Sequence, residues 1–219
     1  MNMKNYLKKS TFPLFESIGV IDGQVQHASW HEKRYIKSFM TYFKSRPVKT
    51  LFEGIDIPNA YQKGKVKLRI SYNENEREWR FSNYTFCPIV NLQLVEHNAI
   101  NYELKLEDRA LLSELYQKRG DADDILIVRN GLLTDTSYGN ITFRKKGRWF
   151  TPDEPLLEGT ARARLLAHGK ISSTSMNLEN YREFEVFKMI NALRDFETDS
   201  CYSVANICLL YTSDAADEE

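Results

Sequence analysis

The sequence predicts an α+β protein in two lobes, a small mixed N-terminal lobe over residues 1–88 and a strand-rich lobe over residues 89–207. Three observations carry this. Alternating strand patterns and one amphipathic helical pattern occur together before Pro88. Short apolar runs punctuated by Asn130-Gly131 and Lys146-Gly147 follow it. Finally, 219 residues that are 42% hydrophobic and 12% aromatic can bury a sizeable core.

Taken in order, Leu14-Phe15-Glu16-Ser17-Ile18, an Asp22-Gly23 turn and Val25 predict a hairpin. Ser29 and Glu32 have the spacing of a capping box. Tyr35, Phe39, Tyr42 and Phe43 line one face of the helix it would start, and Pro47 stops it. Residues 66–72 and 79–86 alternate as two strands with one wet face. Beyond Pro88, a segment ending in Leu104-Lys105-Leu106 leads into a helix carrying Leu111, Leu112, Leu115 and Tyr116, closed by Gly120. A three-strand meander over residues 125–128, 140–143 and 149–150 precedes a helix from Gly159-Thr160 to Gly169. Helical spacing of Phe184, Phe187 and Ile190 predicts a further helix over residues 178–193, and residues 204–207 form a closing strand. Residues 208–219 fit none of these patterns. The string CLLYTSDAADE resembles the translated read-through of a sequencing adapter, so this tail is expected to be non-native.

Thirty basic and thirty acidic residues cancel, which argues against a nucleic-acid-binding chain. No run of about 18 apolar residues offers a membrane span. The basic first ten residues lack the apolar stretch of a secretory signal. Cys87, Cys201 and Cys208 are scattered and odd in number, which points to reduced thiols and a cytoplasmic location. His27 and His31 stand four apart with no third ligand in a zinc pattern, so they are expected on the surface, with no metal site. The cluster Arg144-Lys145-Lys146-Gly147-Arg148 is expected as a solvated turn.

Two positions suggest chemistry. The helix start at Gly159-Thr160 offers free backbone N–H groups and a hydroxyl to an anion. Lys105, flanked by Leu104 and Leu106, has neighbours that would desolvate its amine and lower its pKa.

Read together, several segments resemble the class IV pyridoxal-phosphate aminotransferases, a family that includes branched-chain and D-amino-acid aminotransferases and aminodeoxychorismate lyase. They are Phe15-Glu16-Ser17-Ile18, His31-Glu32-Lys33-Arg34, Lys105 before a helix, Asp123-Asp124-Ile125-Leu126, Asn130-Gly131 and Thr134 through Ile141. Thr151-Pro152 and Leu157-Glu158-Gly159-Thr160-Ala161-Arg162 complete the series. The resemblance implies a two-lobed, fold type IV enzyme with pyridoxal 5'-phosphate in the cleft. It makes Lys105 the Schiff-base lysine and the group that moves the substrate's α-proton. It places Asp135 at the pyridine nitrogen, where the family usually has Glu, and Arg34 at the phosphate. Thr160 and Ala161 complete the phosphate cup, with Ala161 standing where Thr is frequent. Ser137 and Asn140 flank the cofactor, and Arg69 and Asn191 border the substrate. A tyrosine that many relatives carry just after the lysine is replaced here by Arg109-Ala110. The implied reaction is amino transfer from an amino acid to a keto acid, in a homodimer without nucleic-acid or membrane partners. An aminodeoxychorismate lyase and a catalytically inactive cofactor-binding member are the alternatives, with a cofactor-free interaction domain as a third.

Overall fold

The computed structural model describes residues 11–208; the basic first ten residues and all of the tail after Cys208 lie outside them. Strands β1 (Leu14–Ile21) and β2 (Gln24–Val25) form the first hairpin, followed by helix α1 (Ala28–Phe43), β3 (Lys65–Tyr72) and β4 (Arg77–Asn83). These strands make a four-stranded sheet in the order β2-β1-β3-β4. β1 and β3 pair along their whole length, from Leu14 opposite Tyr72 to Ile21 opposite Lys65. The two-residue period of a strand then sorts the side chains. Leu14, Ile18 and Val20 share one face with Val66, Leu68, Ile70 and Tyr72, and Tyr35 and Phe39 of α1 pack onto it. Phe15, Ser17 and Gly19 share the other face with Lys67 and Arg69.

The second sheet contains β5 (Leu92–Glu96), β6 (Asp124–Arg129), β7 (Leu132–Thr136), β8 (Asn140–Lys145), β9 (Arg148–Pro152), β10 (Ser172–Thr174), β11 (Val186–Ile190), β12 (Tyr202–Ser203) and β13 (Ile207–Cys208). Its main path is β10-β9-β8-β7-β6-β5-β13, with β11 paired to β8 and β12. Helix α2 (Ala110–Gln117) lays Leu112 and Leu115 on Ile125 and Ile127, and α3 (Thr160–Ala167) lies between β9 and β10 in sequence. The opposite side of the sheet buries Leu94, Leu126, Phe143 and Phe187. Asp22-Gly23, Asn130-Gly131 and Lys146-Gly147 all have positive φ, as two-residue hairpin turns require. The mixed α+β class expected from the sequence is the class observed.

Four local expectations are corrected. α1 begins at Ala28 with His27 in the left-handed region, and no side chain caps it. Ser29 is therefore inside the helix, and Glu32 instead accepts the Leu51 N–H at 2.9 Å, a tertiary contact that competes with capping. The meander has a fourth strand, β7. Residues 178–193 are not helical: a short 3-10 turn at Tyr181–Glu183 leads into β11, whose residues are buried almost throughout. A strand buried on both faces has no alternation, so spacing alone could not separate it from a helix. Residues 204–206 form a 3-10 turn, and only Ile207 and Cys208 join the sheet.

Thr136 and Gly139 close the turn between β7 and β8 through an N–H to carbonyl bond of 2.9 Å. A Cβ on Gly139 would lie 2.6 Å from the carbonyl oxygen of Ile190, a backbone atom held by β8–β11 pairing. Gly139→Ala should therefore cost about 1–3 kcal/mol, measured as a fall in Tm and in the denaturant midpoint.

Candidate active site

The two sheets enclose a cavity of about 510 Å³, within the ordinary size range of small-molecule sites. Lys105 reaches it from the segment between β5 and α2. The carbonyl of Lys105 accepts the Phe15 N–H at 3.0 Å, and Leu106 bridges Leu14, so this segment is pinned to the end of β1. Leu104 and Leu106 pack into the core beneath the first sheet. The Lys105 ammonium lies 4.7 Å from the centre of the Phe15 ring. Burial, reinforced by the positive charge of Arg34 and partly opposed by Glu16, lowers its pKa to about 7. At neutral pH a large fraction of Lys105 is then an uncharged, nucleophilic amine.

Beneath Lys105 lies an ion cluster that sequence reasoning missed. Glu16 sits on the core face of β1 and is completely buried. It accepts Nδ1–H of His31 at 2.7 Å and two bonds from Arg34, from Nε at 2.7 Å and from Nη2 at 2.5 Å. Burial opposes its ionisation, but the charge of Arg34 and the hydrogen bonds from His31 and Arg34 prevail and hold its pKa at about 2. His31, expected on the surface, is 1% exposed. Its position three residues before Arg34 puts both side chains on the face of α1 that covers Glu16. The fork geometry fixes one edge of the Arg34 guanidinium, and Arg34 also lines the cavity.

The opposite wall is built from β6–β8. Asp135 pairs with Asn140 across the strands; its Oδ1 accepts Asn140 Nδ2–H at 2.7 Å and its Oδ2 accepts the Leu157 N–H at 2.9 Å. Burial raises its pKa to about 6 against these bonds and the nearby charge of Arg162. Asn140 also donates to the Leu157 carbonyl, and its amide occupies the space where a Gly159 Cβ would be, 2.0 Å from Oδ1. Ser137 donates its hydroxyl to Asp124, a buried carboxylate whose other oxygen has no hydrogen bond among the described residues. Gly159 and Thr160 line the cavity where α3 starts. The first helical bond in this turn runs from Ala163 N–H to Gly159, which leaves the preceding amides for an anion.

Arg34, Arg69, Lys105, Asp135, Ser137, Asn140, Thr160 and Asn191 all line this one cavity. Ala161 does not; it is 6% exposed and lines a second cavity of about 300 Å³ behind the start of α3. Arg69 bonds Glu107 and stacks over Phe15 with its guanidinium carbon 3.5 Å from the ring centre. Lys67, Tyr84, Tyr102, Arg109, Tyr138 and Arg194 also line the cavity and were not singled out as substrate-facing. Only the alternation of Lys67 with Arg69 on the wet face of β3 could have flagged any of them. The observed donor set fits pyridoxal phosphate: a low-pKa lysine, an oriented arginine and a helix start for phosphate, and a buried carboxylate across the cavity. Among the described residues no His, Cys, Asp or Glu cluster is placed to hold a metal ion, and no helix is long and apolar enough to cross a membrane.

Two tests follow. Glu16→Gln leaves Arg34 and His31 without their buried counter-charge and should destabilise the fold by about 3–5 kcal/mol, read from chemical unfolding. In the wild type the Glu16 contribution is fully present above pH 4.5, the ordinary value for this carboxyl, and disappears as pH falls towards about 2, because the folded state holds the depressed pKa. The rate at which Lys105 is trapped by pyridoxal phosphate and borohydride should rise with pH through a midpoint of about 7; a midpoint near that of a free lysine would contradict the buried setting.

Comparison with known proteins places the chain in a family. The family model for class IV amino-transferases matches residues 14–196. An uncharacterized protein of Haemophilus influenzae (strain Rd) is 37% identical over 184 residues, 83% of this chain and 98% of its own length. The crystal structure of a candidate 4-amino-4-deoxychorismate lyase from Haemophilus somnus 129pt is 33% identical with a TM-score of 0.76, covering 84% of this chain and 98% of that one. A hypothetical aminotransferase from Mycobacterium tuberculosis, solved with pyridoxal phosphate bound, shares the fold with a TM-score of 0.61 at 14% identity, over 83% of this chain and 78% of its own. With most of its length matched by the family and a cavity that fits the family's cofactor, the chain belongs to the class IV aminotransferases, enzymes of fold type IV that use pyridoxal phosphate.

Proposed function

We propose that the chain is an amino-acid transaminase in which Lys105 both carries pyridoxal phosphate and moves the substrate's α-proton. The observation that carries the reading is the Lys105 amine, with a pKa of about 7, facing a cavity shared with Arg34 and Asp135. When bound, pyridoxal phosphate supplies an aldehyde that links to amines and a ring that accepts the electron pair released at the α-carbon.

The residues then divide the work. Arg34, fixed along one edge by Glu16, and the amides at the start of α3 would hold the phosphate, Thr160 adding its hydroxyl. Ala161 would contribute through its backbone alone. Asp135, anionic above about pH 6, would keep a proton on the ring nitrogen. Asn140 and the Leu157 amide hold that carboxylate in place, which limits how far the shorter side chain must be strained to serve where Glu is usual. Lys105 Nζ takes the α-proton as a neutral amine and returns it as an ammonium. Arg69 stands beside Lys105 over Phe15 and would receive the substrate's carboxylate, with Asn191 on the cavity border. A division into lobes at residue 88 and a homodimeric cytoplasmic enzyme belong to the same proposal.

A second reading, release of pyruvate from aminodeoxychorismate, is favoured by the name of the 33% identical Haemophilus somnus structure. One experiment tests both. Wild-type protein given pyridoxal phosphate should develop a visible absorption band that borohydride bleaches, and Lys105→Ala should lack it. Amine transfer to 2-oxoglutarate then supports the transaminase, and pyruvate from aminodeoxychorismate the lyase. A band with neither turnover leaves a cofactor-binding member without catalysis, and a colourless wild type overturns the proposal.

A further inference from the structure

We infer that Lys67 and Arg194 are specificity-determining residues that bind a second carboxylate of the substrate, away from its reacting carbon. This rests on the cavity being the amine-substrate site. The lining holds six cationic side chains, Arg34, Lys67, Arg69, Lys105, Arg109 and Arg194, against three acidic ones. Acids already match two of the six: Glu16 pairs with Arg34 and Glu107 with Arg69. Arg109 is engaged by the Ser137 carbonyl and lies 4.6 Å from the centre of the Tyr138 ring.

With Lys105 given to the cofactor, the remaining two, Lys67 and Arg194, are underused. The Lys67 side chain makes no hydrogen bond or ion pair among the described residues. Arg194 donates to the Cys87 carbonyl at 2.6 Å and lies over Phe86, yet its Nε is buried without a hydrogen-bond partner among the described residues. A buried donor in that state is costly unless a ligand supplies the acceptor.

Strand register puts the two on one rim. Lys67 stands opposite Gly19 in the β1–β3 ladder. Gly19 has no side chain, which admits the Ala192 carbonyl to 3.0 Å from where a Cβ would be, and Arg194 follows two residues later. Arg69 is the next residue along the same face of β3, and it shares the Phe15 ring with Lys105. One such step along a strand is about 7 Å. A carboxylate on the reacting carbon therefore meets Arg69, and Lys67 with Arg194 wait one step farther out. The substrate class this arrangement selects is an amine with two carboxylates several bonds apart, in preference to an amino acid with an apolar side chain.

The test uses calorimetric titration of the protein, with pyridoxal phosphate present, against glutarate and butyrate as unreactive probes. Glutarate should bind about tenfold more tightly than butyrate, and its affinity should fall more steeply with added salt. Lys67→Gln and Arg194→Gln should each remove most of that preference with butyrate unchanged, while Arg194→Lys, which keeps the charge, should retain part of it. Equal affinities, binding of neither probe, or equal losses for both probes would overturn the assignment. The visible band of the cofactor is read in the same samples. A band without glutarate preference removes this assignment alone. A preference without a band removes the cofactor reading and with it the assignment to a substrate, leaving only a dicarboxylate-binding site.

Discussion

Where β7 meets β8, Asp135 and Asn140 are the one pair in register between the two strands, and that pair joins the halves of the large sheet. On one side run β6, β5 and β13; on the other, β9, β10 and β11. Each residue of the pair does more than pair. Asn140 reaches Asp135 and the Leu157 carbonyl with the same amide nitrogen, and Asp135 receives the Leu157 N–H in return. The connection between β9 and α3 is thereby fastened to the sheet's join. A buried carboxylate, a helix start and the Thr136–Gly139 turn all take their positions from this bracket. Buried polar groups of this kind are stable only when fully partnered, and here the partners are also the walls of the cavity.

The first sheet answers with an opposite logic. Its core face carries one fully buried charge, Glu16, neutralised from above by α1 through Arg34 and His31. Its cavity face carries a row of cations on β3. The result is a strongly positive chamber in which the Lys105 pKa is lowered first by burial and then by the charges of Arg34, Arg109 and Arg69, against the pull of Glu16. The cations that repel Lys105 come from α1, β3 and the start of α2, none of them adjacent to it in sequence.

That distribution explains what the sequence disclosed. The hairpin turns were legible because positive φ at Asp22-Gly23, Asn130-Gly131 and Lys146-Gly147 is a local demand that particular residues meet. Lys105 was legible because its desolvating neighbours Leu104 and Leu106 flank it directly. His31 was not, since the carboxylate that draws it inward lies fifteen residues earlier on another element. β11 was not, since its burial comes from β8 and β12 on either side. Most of the residues named from the resemblance meet in one cavity because a family pattern already encodes such long-range placements. Ala161 lines the second cavity and not this one.

Three glycines, two lining the cavity and one beside it, shape it by what they lack. A Cβ at Gly139 would strike the Ile190 carbonyl, one at Gly159 the Asn140 amide, and one at Gly19 would crowd the Ala192 carbonyl. None of these positions carries a reactive atom, yet each sets how closely two walls approach. Transplanting this chemistry onto another scaffold would therefore fail if only the lysine, arginine and aspartate were moved. The recipient backbone would also have to come together at the three points where this chain has no side chain at all.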